Sequence, residues 1–165
     1  MGEALLRARL DARGVPNTVL SAGLVTEGQR ASANGVKAMA RRGLDISDHR
    51  SQKINPPLIG GADLIIGMER QHVREVAVAD TAQFGVTFTL PELARRLSLI
   101  GPRGADEDVD SYLRRASADR RPADILRDDP SDEVADPIGQ SARRYEATAV
   151  ELEGLLDQVM ANLYP

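Results

Sequence analysis

Apolar residues recur at helical spacing in several parts of the chain and alternate with short aliphatic runs. Near the start, Leu6 and Leu10 lie four residues apart in an amphipathic segment over residues 2–13, and Gly14 follows as a terminator. Residues 18–22 then have the β-branched and aliphatic character of a strand. A helix that leads into a strand is the first sign of an alternating α/β pattern.

The alternation continues through the middle of the chain. Ser32 is a good N-cap for a second helix that reaches Arg42, and a polar loop is expected over residues 44–57. The short apolar run over residues 62–68 is typical of a strand buried on both faces of a parallel sheet. A further helix is expected over about residues 70–78.

The last third of the chain is less uniform. Residues 86–89 predict another short strand, and Pro91 is well placed as the first residue of the helix that follows it. Residues 142–163 carry apolar side chains at helical spacing and predict a long helix with one core face. Between them, residues 99–133 are interpreted as a solvated surface insertion, within which residues 108–118 could form a helix.

Composition agrees with one globular domain over residues 1–165, and it excludes some classes of partner. With 42% apolar residues but only two Phe, three Tyr and no Trp, the core must consist mainly of aliphatic side chains. The formal charge is −4 and the arginines are interleaved with acids, so we expect no nucleic-acid partner. No apolar run approaches the roughly 20 residues that span a bilayer. We therefore expect a soluble, cytoplasmic protein with no membrane partner.

The residues that commonly carry catalysis or bind metal are few. The chain contains no cysteine, so it offers no thiolate nucleophile and no thiolate ligand. Its two histidines, His49 and His72, lie far apart in the sequence, and neither is assigned a role. We expect no metal site and no cofactor.

Four short segments occur in a specific order along the chain. They are residues 1–10 (MGEALLRARL), 21–23 (SAG), 63–70 (DLIIGMER) and 136–139 (DPIG). In this order and spacing they resemble the low-molecular-weight protein tyrosine phosphatases, and residues 44–51 look like the loop after that family's second helix. The resemblance covers nearly all of the chain except the predicted insertion.

The resemblance implies a fold, and it implies where Met1 falls in the sequence pattern of the family. The fold is a three-layer α/β/α domain around a parallel sheet in the order 2-1-3-4. In the family, the first strand runs into a phosphate-binding loop, Cys-x5-Arg-Ser/Thr-Pro, and Met1 falls on the methionine of the helix that follows the loop. We therefore expect the first strand and the loop to be missing from this chain. The hypothesis that Met1 is an internal methionine of a longer reading frame predicts in-frame codons for them upstream.

The resemblance also implies roles for two residues. In the family the cysteine thiolate attacks phosphorus while loop amides and the arginine hold the phosphate oxygens. Asp136 would then be the general acid that protonates the leaving phenolate and later activates water, and Ser21 would hydrogen-bond the phosphate loop from beneath. From the residues alone, Asp136 is interpreted equally well as part of an Asp-Pro turn, and Ser21 as a strand-end hydroxyl. Ile138 replaces an aromatic residue that walls the tyrosine-binding cleft in many members.

Three functions follow as hypotheses. By resemblance, the protein is a phosphatase that acts on phosphotyrosine proteins, although the chain as it stands is expected to be inactive without the cysteine. The alternative is a non-catalytic pseudophosphatase that binds a phosphoprotein or another partner. A third interpretation is an interaction module that uses the acidic insertion, in which case deletion of residues 103–133 would abolish binding.

Overall fold

The computed structural model describes residues 1–126 and 129–165; residues 127 and 128, inside the predicted insertion, lie outside the described residues. The α-helices are α1 (Gly2–Asp11), α2 (Ala33–Ala40), α3 (Pro56–Gly60), α4 (Arg70–Ala79), α5 (Leu90–Ile100), α6 (Val109–Ser117) and α7 (Ala142–Leu163). The strands are β1 (Ile65–Gly67) and β2 (Thr87–Thr89). Short 3₁₀ helices cover Thr81–Val86, Pro122–Leu126 and Pro130–Asp132.

Strands β1 and β2 form a parallel pair, which confirms the α/β class. In this pair Ile66 lies opposite Phe88, and Gly67 lies opposite Thr89. The predicted order places the third and fourth strands side by side, as observed for β1 and β2. The ladder is shorter than the predicted runs, since β1 begins only at Ile65 and residue 86 belongs to the 3₁₀ helix Thr81–Val86. At its other end β2 stops at Thr89, which caps α5, its Oγ1 accepting a hydrogen bond from the amide of Glu92 at 3.3 Å. The second strand therefore ends where the helix begins.

The strand predicted over residues 18–22 is not formed. Its residues lie in an extended loop whose carbonyls accept hydrogen bonds from side chains: Arg7 donates to the Val19 carbonyl at 2.7 Å, and Gln52 donates to the Ser21 carbonyl at 2.9 Å. A single parallel bridge joins Gly23 to Lys53. The β-branched run has the propensity of a strand, but a ladder also needs a neighbouring strand. Within the described part of the chain, none lies along these residues.

The polar loop predicted over residues 44–57 ends earlier than expected, because α3 begins at Pro56. Asn55 is the N-cap of this helix, and its Oδ1 accepts a hydrogen bond from the amide of Leu58 at 3.1 Å. Proline at the first helical position loses no hydrogen bond, since that amide has no partner inside a helix. The last two residues of the predicted loop thus form the start of a helix.

The chain divides into two compact units. The first comprises Met1–Ile54 and Asp136–Leu156, and the second comprises Asn55–Ala135 and Asp157–Pro165. In the first unit, α1, α2 and the first part of α7 bury an aliphatic core that includes one tyrosine. Its buried apolar residues are Leu5, Leu10, Ala38, Met39, Tyr145, Ala149, Leu152 and Leu156. A Cβ at Gly35 would lie 3.5 Å from the Tyr145 ring, so glycine lets α2 approach that ring closely.

The core of the second unit surrounds the two strands. Helices α4 and α5 both contact β1 and β2. The core side chains include Val73, Val76, Phe88, Leu90, Leu93, Leu97, Val159 and Met160. The turn from β1 to α4 is tight, because a Cβ at Gly67 would lie 3.0 Å from the Cβ of His72. His72 itself caps this turn, its Nδ1 accepting from the amides of Met68 and Glu69 at 3.2 and 3.3 Å.

Part of the predicted surface insertion is packed. Tyr112, Leu113 and Ala116 lie on one face of α6 and are almost fully buried. The Tyr112 hydroxyl donates to the Gly101 carbonyl at 2.7 Å. Three apolar positions in a segment dominated by Asp and Arg give a weak sequence signal, although they are enough to anchor one helix face. Across the described ranges, none of the helices is both long enough and apolar enough to span a bilayer.

Candidate functional site

Asp136 lies in the loop before α7, in the first unit. Its Oδ1 accepts a hydrogen bond from the Ile138 amide at 2.9 Å, and the Gln140 amide donates to the Pro137 carbonyl at 2.9 Å. Gly139 has φ = +72°, a conformation that glycine adopts without steric cost. The Asp-Pro segment is therefore a turn, as one of the two sequence interpretations predicted.

The turn leaves Asp136 accessible for chemistry. The residue is exposed, and within residues 1–126 and 129–165 its second carboxylate oxygen, Oδ2, has no hydrogen-bond partner. Ile138 beside it is 71% exposed. The side chain of Asn34 in α2 donates to the Gln140 carbonyl at 3.3 Å and so ties this loop to a helix. A turn that fixes one oxygen and leaves the other free is compatible with a general acid–base.

Ser21 belongs to a polar cluster around Glu3. Helix α1 places Glu3 and Arg7 one turn apart, and the two form an ion pair. The Ser21 hydroxyl donates to the other oxygen of Glu3, Oε2. His49 is also near, with 3.7 Å between its Nδ1 and the Glu3 Oε2. The cluster consists of these four side chains and lies within the first unit.

Electrostatics keep Glu3 ionised. Burial acts to raise the pKa of the Glu3 carboxyl, but the hydrogen bonds from Ser21 and Arg7 together with the charges of Arg7 and His49 leave the pKa lowered overall. A carboxylate with a lowered pKa is a weak base at neutral pH, so it does not activate the Ser21 hydroxyl as a nucleophile. The arrangement orients Ser21: its proton is directed to Glu3, and its oxygen lone pairs remain able to accept hydrogen bonds.

The central position of Glu3 was not predicted from the sequence. Residues 1–10 predicted a helix and carried part of the family resemblance, but neither pattern indicated a role for Glu3 or Arg7. Their four-residue spacing on α1 is the signal that could have found the ion pair. Ser21 lies 18 positions from Glu3 in sequence, and no local pattern indicates that contact.

The two predicted site residues, Asp136 and Ser21, belong to separate hydrogen-bond networks. Asp136 bonds within its own turn, whereas Ser21 bonds to α1. Among the residues that the structure describes, no group of three or more His, Cys, Asp or Glu side chains is arranged to hold a metal ion. The roles implied for Asp136 and Ser21 remain predictions.

The parallel strand pair and the order of the helices around it define the class of α/β proteins. Residues 1–90 match the family model for "Low molecular weight phosphotyrosine protein phosphatase". The match covers more than half of the 165 residues, and the chain belongs to this family.

Individual relatives agree with this assignment. The chain is 38% identical over 94 residues to EpsP of Ralstonia nicotianae, which is described as a probable low molecular weight protein-tyrosine-phosphatase; the match covers 56% of this chain and 62% of EpsP. The EpsP of Ralstonia solanacearum matches equally well. The chain thus matches less than two thirds of the length of these curated relatives.

Solved structures share the fold over nearly the whole chain. A YwlE mutant from Bacillus subtilis superposes with a TM-score of 0.71 at 24% identity, covering 99% of this chain and 88% of that one. A low molecular weight protein tyrosine phosphatase from T. tengcongensis gives a TM-score of 0.69 at 26% identity, covering 96% of this chain and 86% of that one.

Proposed function

We propose that this protein hydrolyses phosphomonoesters on phosphotyrosine proteins, with Asp136 as the general acid–base. Family membership supports the class of reaction, and the relatives named EpsP are described as probable tyrosine phosphatases. The single observation that carries the role of Asp136 is its position: an exposed carboxylate held through one oxygen in a turn. The turn lies in residues 136–139, a segment that resembles the family and lies outside the residues 1–90 that match the family model.

In the proposed reaction, a cysteine thiolate attacks phosphorus and the bond from phosphorus to the phenolic oxygen breaks. Asp136 gives its proton to that oxygen, so that tyrosine leaves as a neutral phenol. The carboxylate then takes a proton from the water that attacks the phosphoenzyme, which releases inorganic phosphate and restores the thiolate. The 165 residues contain no cysteine, and we propose that they do not complete this reaction by themselves.

Ser21 has a positioning role in this proposal. Glu3 fixes the direction of its hydroxyl proton, so the oxygen of Ser21 can accept hydrogen bonds from backbone amides of a phosphate-binding loop. Such support keeps loop amides directed at the phosphate oxygens, where negative charge is stabilised during transfer.

The test uses protein expressed from its own chromosomal locus, so that any in-frame codons upstream of Met1 are translated with it. Activity is assayed with a phosphotyrosine peptide. Asp136→Asn is expected to lower kcat by about 10²- to 10³-fold, because general acid catalysis is removed. Asp45→Asn is a matched control, since Asp45 is exposed in the same unit and its Oδ1 accepts the Ser47 amide at 2.8 Å in a similar turn. Unchanged kcat in the Asp136 variant would show that Asp136 is not the general acid.

A non-catalytic pseudophosphatase is the second candidate, favoured by the same exposed Asp136 and Ile138 in a chain without cysteine. It predicts that the purified 165-residue chain binds a phosphotyrosine peptide without turnover, and that Asp136→Ala abolishes binding. Hydrolysis of an aryl phosphate above the buffer blank, if it survives repurification, would contradict both this candidate and the cysteine-dependent mechanism.

A further inference from the structure

The second unit contains a cavity of about 280 Å³ with an unusually charged wall. Apart from Phe84, its lining residues are all charged. They are Arg70, Arg95, Arg96, Arg120 and Arg121, with Glu92, Asp124, Asp129 and Asp132. Five arginines against four carboxylates leave one excess positive charge on the wall.

Carboxylates in this wall are shared between guanidinium groups. Asp132, whose side chain is 1% exposed, accepts hydrogen bonds from both Arg70 and Arg95. Glu92 accepts from Arg96 Nε at 2.9 Å and from Arg120 Nε at 2.8 Å. Four guanidinium groups therefore share two central carboxylates, and one of the four, Arg96, also pairs with Asp119 outside the wall.

Arg120 is a deeply buried cation in this wall. Its side chain is 3% exposed, and its guanidinium lies 4.4 Å from the ring centroid of Phe84 and 4.3 Å from that of Phe88. Burial lowers the pKa of Arg120, while the charge of Glu92 acts to raise it. A guanidinium nevertheless stays protonated in proteins, so an additional anion nearby would stabilise this desolvated positive charge.

Two arginines keep donors available at the cavity mouth. Arg95 is 48% exposed in its side chain and contacts Asp132 through Nη1 alone among the described residues. Arg121 is exposed, and no partner for its guanidinium lies within residues 1–126 and 129–165. A guanidinium carries five N–H donors in a planar fork, so both side chains can bind a further oxyanion.

The remaining acids do not occupy these donors. Asp124 Oδ2 accepts the Arg121 amide at 3.0 Å, and Asp129 Oδ1 accepts the Ser131 amide at 3.0 Å, so each is engaged in its own turn. The neighbouring Asp119 is 82% exposed and pairs with Arg96 at 2.6 Å. The free donors of Arg95 and Arg121 have no equivalent carboxylate partner in the described part of the wall.

We infer that this cavity binds a phosphate-class dianion, with Arg95 and Arg121 as its direct ligands. Arginine pairs with phosphate oxygens through two parallel hydrogen bonds, which suits a cavity lined by two arginines with available donors. The volume lies at the lower end of the range for small-molecule sites, so the cavity accommodates a single phosphoryl group. That group is either free inorganic phosphate or the phosphoryl group of a phosphate monoester.

Calorimetric titration of the 165-residue chain tests this site. Inorganic phosphate and phenyl phosphate are the two probes, each used in chloride buffer at constant ionic strength because salt screens such contacts. Arg95→Gln and Arg121→Gln are each expected to weaken binding by about tenfold, the effect of losing one charge-assisted hydrogen bond. Binding of both probes assigns the site to the phosphoryl group, and binding of inorganic phosphate alone assigns it to the free anion.

Arg114→Gln is the matched control, because it removes the same charge from the same unit. Arg114 is 72% exposed and pairs with Asp110 at 2.7 Å on α6. Its loss should change affinity by less than about twofold. Arg121→Gln breaks no ion pair of the described residues, so its fold is preserved even if Arg95→Gln unfolds. The proposal is overturned if neither probe saturates up to about 10 mM, if Arg121→Gln binds like the wild type, or if Arg114→Gln loses affinity equally.

Discussion

Each of the two units builds a polar cluster around one carboxylate, and the two carboxylates differ in burial. In the first unit the Glu3 side chain is 17% exposed, and it is held by an exposed arginine, a serine and a histidine. In the second unit the Asp132 side chain is 1% exposed and is held by Arg70 and Arg95. A partly solvated ion pair contributes little to stability, whereas a buried charge that loses its partner is costly.

This difference in burial suggests a division of roles. Around Glu3, water can compensate for a lost partner, so the groups that orient Ser21 can be altered without unfolding the unit. Around Asp132, the buried charges hold the 3₁₀ helix Pro130–Asp132 to α4 and α5. The first cluster is thus suited to positioning a functional group, whereas the Asp132 ion pairs of the second are suited to maintaining the fold around the proposed anion cavity. Four predictions test this contrast, from the largest expected effect to the smallest.

Asp132→Asn should have the largest effect on stability. It removes the carboxylate charge with which the mostly buried Arg70 and the half-exposed Arg95 both form ion pairs, and we expect a loss of about 3 kcal/mol in the free energy of unfolding. Urea denaturation followed by circular dichroism measures this loss. Asp119→Asn serves as the control, because Asp119 is 82% exposed and its pair with Arg96 should contribute less than about 1 kcal/mol. Equal losses in both variants would show that burial does not distinguish these pairs.

Glu3→Gln should destabilise the first unit by about 1 kcal/mol at neutral pH, since it weakens the bonds from Ser21 and Arg7. The folded-state pKa of Glu3 is lowered, so its stabilisation is complete above the ordinary value of 4.5 and is lost as pH falls through the folded-state value. The difference between wild type and variant should therefore be constant near neutrality and disappear in acid. Unfolding curves at a series of pH values measure it.

A matched control for Glu3 is Glu27→Gln, because Glu27 is exposed in the same unit. That variant should show the wild-type stability at neutral pH to within about 0.5 kcal/mol. If the deficit of Glu3→Gln persisted unchanged at low pH, the ionised carboxylate would not be its cause.

Tyr112→Phe tests a single partly buried hydrogen bond that joins α6 to Gly101 at the end of α5. Removing the hydroxyl leaves the Gly101 carbonyl without its 2.7 Å donor, and we expect a loss of about 1 kcal/mol. Tyr164→Phe is the control, since within the described residues the Tyr164 hydroxyl has no hydrogen-bond partner. Denaturation midpoints that coincide for the two variants would show that the bond from the Tyr112 hydroxyl to Gly101 does not stabilise the fold.

Short-range sequence patterns were sufficient to predict the helices and caps that depend only on nearby residues. Helix α7 has the predicted bounds, because its apolar residues keep helical spacing over its whole length. Ser32 caps α2 as predicted, with its Oγ accepting the Gly35 amide at 3.1 Å. Helix α5 begins one residue before Pro91 because Thr89 supplies the cap. These features depend on residues within one or two turns of each other.

Features that depend on distant partners were not predictable in this way. Residues 18–22 have strand propensity, yet strand formation depends on a neighbour that propensity does not specify. Asp132 and Arg70 lie 62 positions apart, and in a segment of mixed Asp and Arg no pattern selects this pair. At the candidate site, the turn at Asp136 follows from its Asp-Pro sequence, whereas its proposed role in acid catalysis came from the family resemblance.

Ile138→Ala should have the smallest effect on stability and so separates function from folding most cleanly. The side chain is 71% exposed, so truncation should change the free energy of unfolding by less than about 0.5 kcal/mol. If the surface beside Asp136 faces the substrate, the same change should weaken binding of a phosphotyrosine peptide, because an apolar contact with the phenyl ring is lost. Calorimetric titration of the variant measures this, with Val25→Ala as the control because Val25 is 78% exposed in the same unit. Equal affinity for the peptide in both variants would place the substrate away from Ile138.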